Sequence, residues 1–242
     1  MEGTAHSGET LDYISITPTG YEPSRAYPIL VLIHGYGASM YDLAGLAPAI
    51  SETGYIFLCP NGPVPLDIGF GQIGYGWAPG GLGTEEDGQR AEDALDAFLT
   101  EAGQQYGLED GNLALIGFSQ GGGLSYRYGL THASKVRGVA ALSGSIPQPA
   151  LLNARLPVQR QQPIFIGHGA ADEVISVESG RAARAQLAEW GYTDCVYQEY
   201  DGAGHEITQA EIADVTEWLS RVLPPAPPQT PPGVSPGGII LP

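Results

Sequence analysis

The residue best suited to do chemistry in this chain is a serine held between two glycines. Ser119 is the centre of a G-F-S-Q-G pentapeptide at positions 117–121, directly behind the apolar run 113–116. These glycines let the chain turn sharply from a strand into a helix, because a β-carbon at either position would collide with a neighbouring strand or helix. Such a turn exposes the hydroxyl group and aims the first N–H groups of the helix at the same point. The pattern predicts a nucleophilic serine.

A nucleophilic serine needs a base, and the sequence leaves one histidine for this role. At a turn of this kind the chain order is serine, then acid, then histidine. No Asp or Glu occurs between Ser119 and position 171, so His132 and His168 have no acid before them. The histidine that remains is His205, in a segment containing two glycines. We predict that His205 takes the serine proton.

The acid partner of the histidine has several candidates, and their positions separate them. Asp172 falls just after a predicted strand at 164–167, at the same edge of the sheet as Ser119, and we predict that it is the acid. Glu173 is the alternative. The other acidic residues of this stretch are Glu178, Glu189, Asp194, Glu199 and Asp201.

A third element must stabilise the negative oxygen that forms when a serine attacks a carbonyl group. The segment H-G-Y-G at 34–37 follows the apolar run 29–33, so the backbone N–H of Tyr36 can face the serine. The N–H of Gln120, directly after the serine, is the usual second donor. We predict an oxyanion hole from these two amides, with His34 as a structural residue of the loop.

The elements that would position these groups alternate along the chain. A polar–apolar alternation at 11–17 predicts an antiparallel edge strand, and runs that are apolar throughout predict strands covered on both faces. Such buried strands are expected at 29–33 and 55–59, and further strands at 113–118, 136–142, 164–167 and 195–200. Helices are expected at 39–51, after a Ser39–Asp42 capping box, from 84 onwards, at 176–190 and at 208–223. This alternation predicts an α/β fold, with a mostly parallel central sheet flanked by helices on both faces.

Composition limits the class of protein. The chain has 242 residues, 43% of them hydrophobic, which suits one domain with a substantial core. The formal net charge is −17, and Lys135 is the sole lysine. Without a basic surface to neutralise phosphates, we expect neither nucleic-acid binding nor stable association with an anionic membrane.

The cysteines and the two chain ends carry further expectations. Cys59 and Cys195 lie in predicted strands, which favours two buried thiols over a disulfide. The N-terminal residues carry no targeting pattern, so we expect a cytoplasmic protein. Proline accounts for eight of the nineteen residues in 224–242. We predict a disordered tail there, after a catalytic domain over 1–223.

Four motifs in this order resemble the phospholipase/carboxylesterase family, which includes bacterial carboxylesterases and acyl-protein thioesterases. The resemblance covers about residues 10–223. It implies an α/β-hydrolase without a large cap domain, acting on a small-molecule ester or thioester with no cofactor or metal. The motifs are H-G-Y-G at 34–37, G-F-S-Q-G-G at 117–122, H-G-A-A-D at 168–172 and G-H-E-I at 204–207.

The resemblance also implies roles for individual residues. Ser119 is the implied nucleophile, Asp172 the acid and His205 the base, with the amides of Tyr36 and Gln120 as oxyanion donors. The expected function is a serine carboxylesterase for short- to medium-chain esters. A lysophospholipase or acyl-protein thioesterase is the alternative within the same chemistry, and a non-catalytic binding module on the same scaffold is an alternative of another class.

The substrate walls are predicted from aromatic and apolar residues near the site. Phe70, Tyr75 and Trp77 in the long loop 60–83, with Met40 beside the oxyanion segment, would line an apolar cleft. Packing of these side chains against the body of the protein is the alternative for each. The same loop contains a G-x-G-x-x-G pattern at 69–74, but with no predicted strand before it and no helix after it, we expect no dinucleotide site.

Overall fold

An eight-stranded sheet forms the centre of the molecule in the computed structural model, which describes residues 1–80 and 83–228. The strand order in the sheet is β1-β2-β4-β3-β7-β8-β9-β10, and β5 and β6 form a separate hairpin. In chain order the strands are β1 (Glu2–His6), β2 (Tyr13–Thr17), β3 (Ile29–Ile33), β4 (Ile56–Pro60), β5 (Val64–Asp67), β6 (Ile73–Gly76), β7 (Leu113–Phe118), β8 (Val136–Leu142), β9 (Ile164–Gly169) and β10 (Cys195–Tyr200).

In the sheet, β4, β3, β7, β8, β9 and β10 lie side by side and pair in parallel. Strand β2 pairs antiparallel with β4, and β1 pairs antiparallel with β2. The carboxyl ends of β3, β7, β8 and β9 therefore meet at one edge of the sheet. The register pairs Ile33 at the end of β3 with Gly117 in β7. This pairing brings the segment after Ile33 next to the turn that carries Ser119.

Helices cover both faces of the sheet, as predicted. Strand β3 shows why: Ile29, Val31 and Ile33 pack into one core cluster with α2, α3 and α5, whereas Leu30 and Leu32 pack into another with α1 and α6. A strand covered on both faces is apolar at every position. The helices are α1 (Ala47–Ile50), α2 (Glu85–Tyr106), α3 (Gln120–Thr131), α4 (Pro149–Arg155), α5 (Glu178–Glu189) and α6 (Gln209–Val222).

Two predicted elements differ from the structure. The helix expected at 39–51 is wrong: a turn, a short 3₁₀ segment at Ala44–Leu46 and the single turn of α1 take its place. The Asp42 carboxylate accepts hydrogen bonds from the Ser39 N–H and hydroxyl, but it closes a turn instead of starting a helix. The strand near 11–17 is not the edge strand, because β1 pairs along its outer side.

Several features are absent from the prediction. The long loop 60–83 contains the β5–β6 hairpin, and α4 follows β8. The chain also stays ordered against the body beyond 223, because Ala226 is buried and its N–H donates to the Gly54 carbonyl oxygen. The rest of the proline-rich tail, from 229 onwards, lies outside the described residues. No helix among the described residues is long and apolar enough to cross a membrane.

Candidate active site

The turn between β7 and α3 holds Ser119 in an unusual backbone conformation, with φ 57° and ψ −117°. Positive φ is costly for a residue with a side chain, and the structure around the turn must maintain it. A β-carbon on Gly117 would lie 2.1 Å from the Gly121 carbonyl oxygen, and one on Gly121 would lie 2.0 Å from the Ile33 carbonyl oxygen. The close approach predicted for both glycines is confirmed, with Gly117 against α3 and Gly121 against β3.

We expect Gly121→Ala to destabilise the protein, because the new methyl group meets backbone atoms of β3 that cannot rotate away. Overpacking of this kind typically costs about 1–3 kcal/mol. Urea unfolding of the variant measures the loss. Gly45→Ala is the control, since nothing lies within 4 Å of the added β-carbon. Equal unfolding midpoints for the two variants would contradict the close contact.

Three side chains from three loops meet at this edge of the sheet. His205 Nε2 lies 2.9 Å from Ser119 Oγ, and His205 Nδ1 lies 2.7 Å from Asp172 Oδ2. Asp172 follows β9, and His205 lies between β10 and α6. The alternative acid, Glu173, is exposed. The structure thus brings together the three residues singled out from chain order.

The Asp172 carboxylate is buried and held on both oxygens. Oδ1 accepts hydrogen bonds from the Val174 and Ile175 amides, each at 2.9 Å, while Oδ2 accepts from His205. Burial alone would raise the pKa of Asp172, but the hydrogen bonds from His205 and the two amides outweigh it and lower the pKa. With an ionised acceptor at Nδ1, the Nε2 lone pair of His205 faces the serine hydroxyl.

His168 supports the acid from beneath, a role the sequence did not suggest. Its ring is fully buried, and Nε2 donates to the Ile175 carbonyl oxygen at 2.7 Å. The Ile175 amide in turn donates to Asp172. The spacing of four between His168 and Asp172 is the one signal in the sequence that links them.

The segment at 34–37 lies beside Ser119 and is held by the β5–β6 hairpin. The Gly37 N–H donates to the Tyr75 carbonyl oxygen at 2.8 Å, and the Tyr75 N–H donates to the Ala38 carbonyl oxygen at 2.7 Å. Within the described part of the chain, the Tyr36 N–H has no acceptor. Gln120 is the first residue of α3, so no carbonyl oxygen of the helix can accept its N–H. Tyr36 and Gln120 line the same cleft as Ser119.

His34 fixes the shape of this loop. Its Nε2 accepts the Gly62 N–H at 2.9 Å, so Nδ1 carries the proton and donates to the Gly35 carbonyl oxygen at 2.7 Å. Burial lowers the pKa of His34, which favours this neutral form. These contacts agree with a structural role.

The part of the chain that contains the site residues also matches known proteins. The sequence profile of the family described as Phospholipase/Carboxylesterase matches residues 21–223. The chain belongs to the phospholipase/carboxylesterase family. The α/β-hydrolase fold and the assignment to the carboxylic ester hydrolases, both predicted from the sequence, are confirmed.

The relatives of this family member include proteins named as acyl-protein thioesterases and proteins named as carboxylesterases. Acyl-protein thioesterase 1 of Aspergillus fumigatus is 28% identical over 217 residues, which cover 81% of this chain and 88% of the relative. Carboxylesterase SOBER1 of Arabidopsis thaliana is 33% identical over 118 residues, which cover 48% of this chain and 51% of the relative. The crystal structure of esterase PE8 superimposes with a TM-score of 0.75 at 28% identity, covering 86% of this chain and 97% of that one.

The predicted substrate walls of this family member require correction. Trp77 is only 1% exposed: its Nε1 donates to the His34 carbonyl oxygen at 3.0 Å, and its backbone N–H donates to Gln120 Oε1 at 2.8 Å. It supports the oxyanion segment from below instead of lining a cleft. Phe70 projects fully into solvent from the hairpin turn. Tyr75 and Met40 line neither of the clefts beside Ser119.

Two clefts open at Ser119, and Tyr36 lines both of them. We call them cleft A and cleft B. Cleft A has a volume of about 460 Å³ and is lined by Tyr36, Gly80, Gly83, Ser119, Gln120, Gly123, Ser145, Pro147 and Ile175. Cleft B has a volume of about 370 Å³ and is lined by His34, Gly35, Tyr36, Ala38, Asp42, Leu43, Leu46, Phe118, Ser119, His205, Glu206 and Ile207.

The G-x-G-x-x-G pattern at 69–74 lies in the β5–β6 hairpin. The expectation that no strand precedes it is wrong, since β5 ends at Asp67, but the pattern leads into a second strand and not into a helix. A dinucleotide fingerprint needs a helix N-terminus for the pyrophosphate. The hairpin offers none.

A buried carboxyl group lies just beyond the histidine loop. Glu211 in the first turn of α6 is 1% exposed, and its N–H donates to the Thr208 hydroxyl that caps the helix. Burial, with a contribution from nearby Asp214, raises the pKa of Glu211 to about 7 from its usual 4.5. Because the folded state holds the proton more tightly than the unfolded state, Glu211 makes folding less favourable as pH rises from 4.5 towards 7.

We therefore expect Glu211→Gln to stabilise the protein above pH 7. The gain in the free energy of unfolding should be about 1–3 kcal/mol at pH 8 and close to zero at pH 4.5. Thermal unfolding across this pH range measures it, with exposed Glu217→Gln on the same helix as the control. A gain that does not grow with pH would contradict a protonated Glu211 in the folded protein.

Proposed function

We propose that this carboxylesterase cleaves short- to medium-chain carboxylic esters through an acyl-enzyme formed on Ser119. The observation that carries the proposal is the continuous chain of hydrogen bonds from Ser119 through His205 to Asp172. A serine hydroxyl is a weak nucleophile until an adjacent base removes its proton. Here the base is in contact with the hydroxyl, and the acid fixes its orientation.

In the acylation step, Ser119 Oγ attacks the ester carbonyl carbon while His205 Nε2 takes the hydroxyl proton. The carbonyl oxygen becomes negative and accepts hydrogen bonds from the Tyr36 and Gln120 amides. One such donor is typically worth about 2.7–4 kcal/mol in the transition state. Asp172 stabilises the imidazolium without taking its proton. The C–O bond to the alcohol then breaks, and His205 returns the proton to the departing oxygen.

In the deacylation step, water occupies the place of the alcohol. His205 takes a proton from the water, whose oxygen attacks the acyl carbon, and the same two amides hold the negative oxygen. The bond to Ser119 Oγ breaks, the serine regains its proton from His205, and the carboxylic acid leaves. No metal or cofactor takes part in these proposed steps.

The preference for short to medium acyl chains is supported by the dimensions and lining of cleft A. Its volume of about 460 Å³ is at the small end for ligand pockets, and Pro147 and Ile175 supply apolar surface. The family relatives named as acyl-protein thioesterases support the alternative, a thioesterase or lysophospholipase for longer chains.

A series of p-nitrophenyl esters from two to sixteen carbons distinguishes these functions. The proposal predicts a maximum in kcat/KM at the shorter half of the series and lower values for lysophosphatidylcholine and for a palmitoyl-thioester peptide. A higher kcat/KM for either long-chain substrate would favour the alternative. Absence of turnover with every substrate would point to a non-catalytic binding module.

We also propose that the protein has no nucleic-acid partner and no stable membrane association, and that it is cytoplasmic. A net charge of −17 argues against nucleic acid or a stable anionic membrane as partners. Cys59 and Cys195 are free, on strands β4 and β10, which suits a reducing compartment such as the cytoplasm.

A further inference from the structure

The two clefts at Ser119 are not equivalent with respect to the catalytic proton. Under the proposed function, on which this inference rests, the departing alcohol must receive its proton from His205 Nε2. The alcohol oxygen must therefore lie on the side of Ser119 that His205 occupies. His205 lines cleft B and not cleft A. The alcohol half of the ester accordingly belongs in cleft B, and the acyl half in cleft A.

Cleft B combines an apolar floor with two acidic side chains. Leu43, Leu46 and Ile207 supply the floor, and the acidic residues are Asp42 and Glu206. A neighbouring cavity of about 420 Å³, between α1 and the start of α6, shares Leu46 and Ile207 with cleft B. This side therefore has room for an alcohol with an apolar body.

The acidic residues of cleft B are not neutralised by the protein. Neither Asp42 nor Glu206 has an ion-pair partner within 4 Å among the described residues, and no lysine or arginine lines the cleft. Asp42 is held in place by hydrogen bonds from the Ser39 N–H and hydroxyl. In a chain with net charge −17, two such carboxylates beside the departing group attract cations and repel anions.

We propose that cleft B binds the alcohol half of the substrate and that Asp42 and Glu206 make the enzyme selective for a cationic alcohol, such as an amino alcohol or a quaternary ammonium alcohol. Neutral alcohols are accepted less well, and alcohols with a carboxylate or phosphate are rejected. The selectivity arises in acylation, because the alcohol has left before deacylation begins.

Three butyrate esters test the charge selectivity at constant acyl group: those of choline, of 3,3-dimethylbutanol, its uncharged carbon isostere, and of 4-hydroxybutanoate. In the wild type, kcat/KM should fall in this order. Asp42→Asn and Glu206→Gln should each lower the ratio of choline ester to isostere about fivefold. The ratio cancels any loss that both substrates share. Glu173→Gln is the control, since this exposed carboxylate lines neither cleft, and it should leave the ratio unchanged.

A wild-type ratio near one, or a ratio that neither cleft B variant changes, would overturn the inference. A change in Glu173→Gln as large as in Glu206→Gln would also overturn it, because the effect would then follow total charge and not cleft B. If the uncharged ester is hydrolysed without discrimination, only this inference fails. If no ester is hydrolysed, the proposed function fails.

A pair of steric variants tests the assignment of the clefts. Leu46→Trp narrows cleft B and should reduce kcat/KM for bulky alcohols while leaving the order of acyl chain lengths unchanged. Ser145→Phe narrows cleft A, where Ser145 is exposed, and should shorten the preferred acyl chain. The reverse pattern would place the acyl group in cleft B and overturn the inference.

Discussion

Replacing Ser119 with alanine is expected to lower kcat for any ester by about 10⁶-fold, the size of effect found when a serine hydrolase loses its nucleophile. Among the described residues, the Ser119 hydroxyl is the one group hydrogen-bonded to His205 Nε2 that can attack a carbonyl carbon. The oxyanion amides remain in the variant, so a residual rate of about 10³–10⁴ over water is expected.

The Ser119→Ala variant should keep the fold of the wild type. The Ser119 amide donates to the Leu142 carbonyl oxygen, and that backbone bond does not depend on the side chain. Unchanged circular dichroism and an unchanged unfolding midpoint serve as controls. Loss of less than a hundredfold in kcat, in protein free of contaminating esterase, would mean that another group attacks the ester.

Replacing Asp172 with asparagine is expected to lower kcat by about 10⁴-fold, because the amide favours the wrong tautomer of His205. The carboxylate accepts a hydrogen bond from the His205 Nδ1–H. The lone pair on Nε2 is then free to accept the hydrogen bond of the serine hydroxyl. An asparagine can present its NH₂ group to Nδ1, and Nε2 then carries the proton and points it at the serine oxygen. The imidazolium formed during reaction also loses its nearby negative charge.

The Asp172→Asn experiment has a matched control in the next residue. Glu173→Gln removes a carboxylate one position away that is exposed to solvent. Its kcat should stay within about twofold of the wild type, because a charge that is screened by water has little effect on the site. Equal losses in the two variants would show that Asp172 acts through general electrostatics and not through its contact with His205.

Ser119, Asp172 and His205 could be selected from the sequence as one group because chemistry and chain order restrict the choice. Buried parallel strands are apolar at every position, so β3 and β7 could be predicted from their apolar runs. The loops after these two strands could then be assigned to one edge of the sheet. The lack of acidic residues between Ser119 and position 171 then excluded His132 and His168 as the base. In the structure, hydrogen bonds join the same three residues.

The clefts could not be predicted, because they depend on how a glycine-rich segment folds back on the body. Eight of the residues from 60 to 83 are glycine, and the segment has the irregular polar and apolar pattern of a loop. The hairpin within it is held through Tyr75 by backbone hydrogen bonds to the oxyanion segment, which carry no side-chain signature. Trp77 is thereby drawn under the site, and Phe70 is turned out of it.

The failure at residues 39–51 has a similar cause. A serine and an aspartate three residues apart form the same side-chain bonds in a turn as at a helix start. Here Gly45 and Pro48 follow, and a 3₁₀ segment with one turn of α-helix results. Strand β1 escaped prediction because four of its five residues are exposed and carry no apolar pattern.

Mass spectrometry of the protein after reaction with a fluorophosphonate tests the nucleophile most directly. We expect one phosphonyl group per chain, on the peptide that contains Ser119, and none in Ser119→Ala. Slow labelling in Asp172→Asn should accompany its low kcat. An active preparation that takes up no label, or takes it up on another residue while Ser119 stays unmodified, would contradict the account.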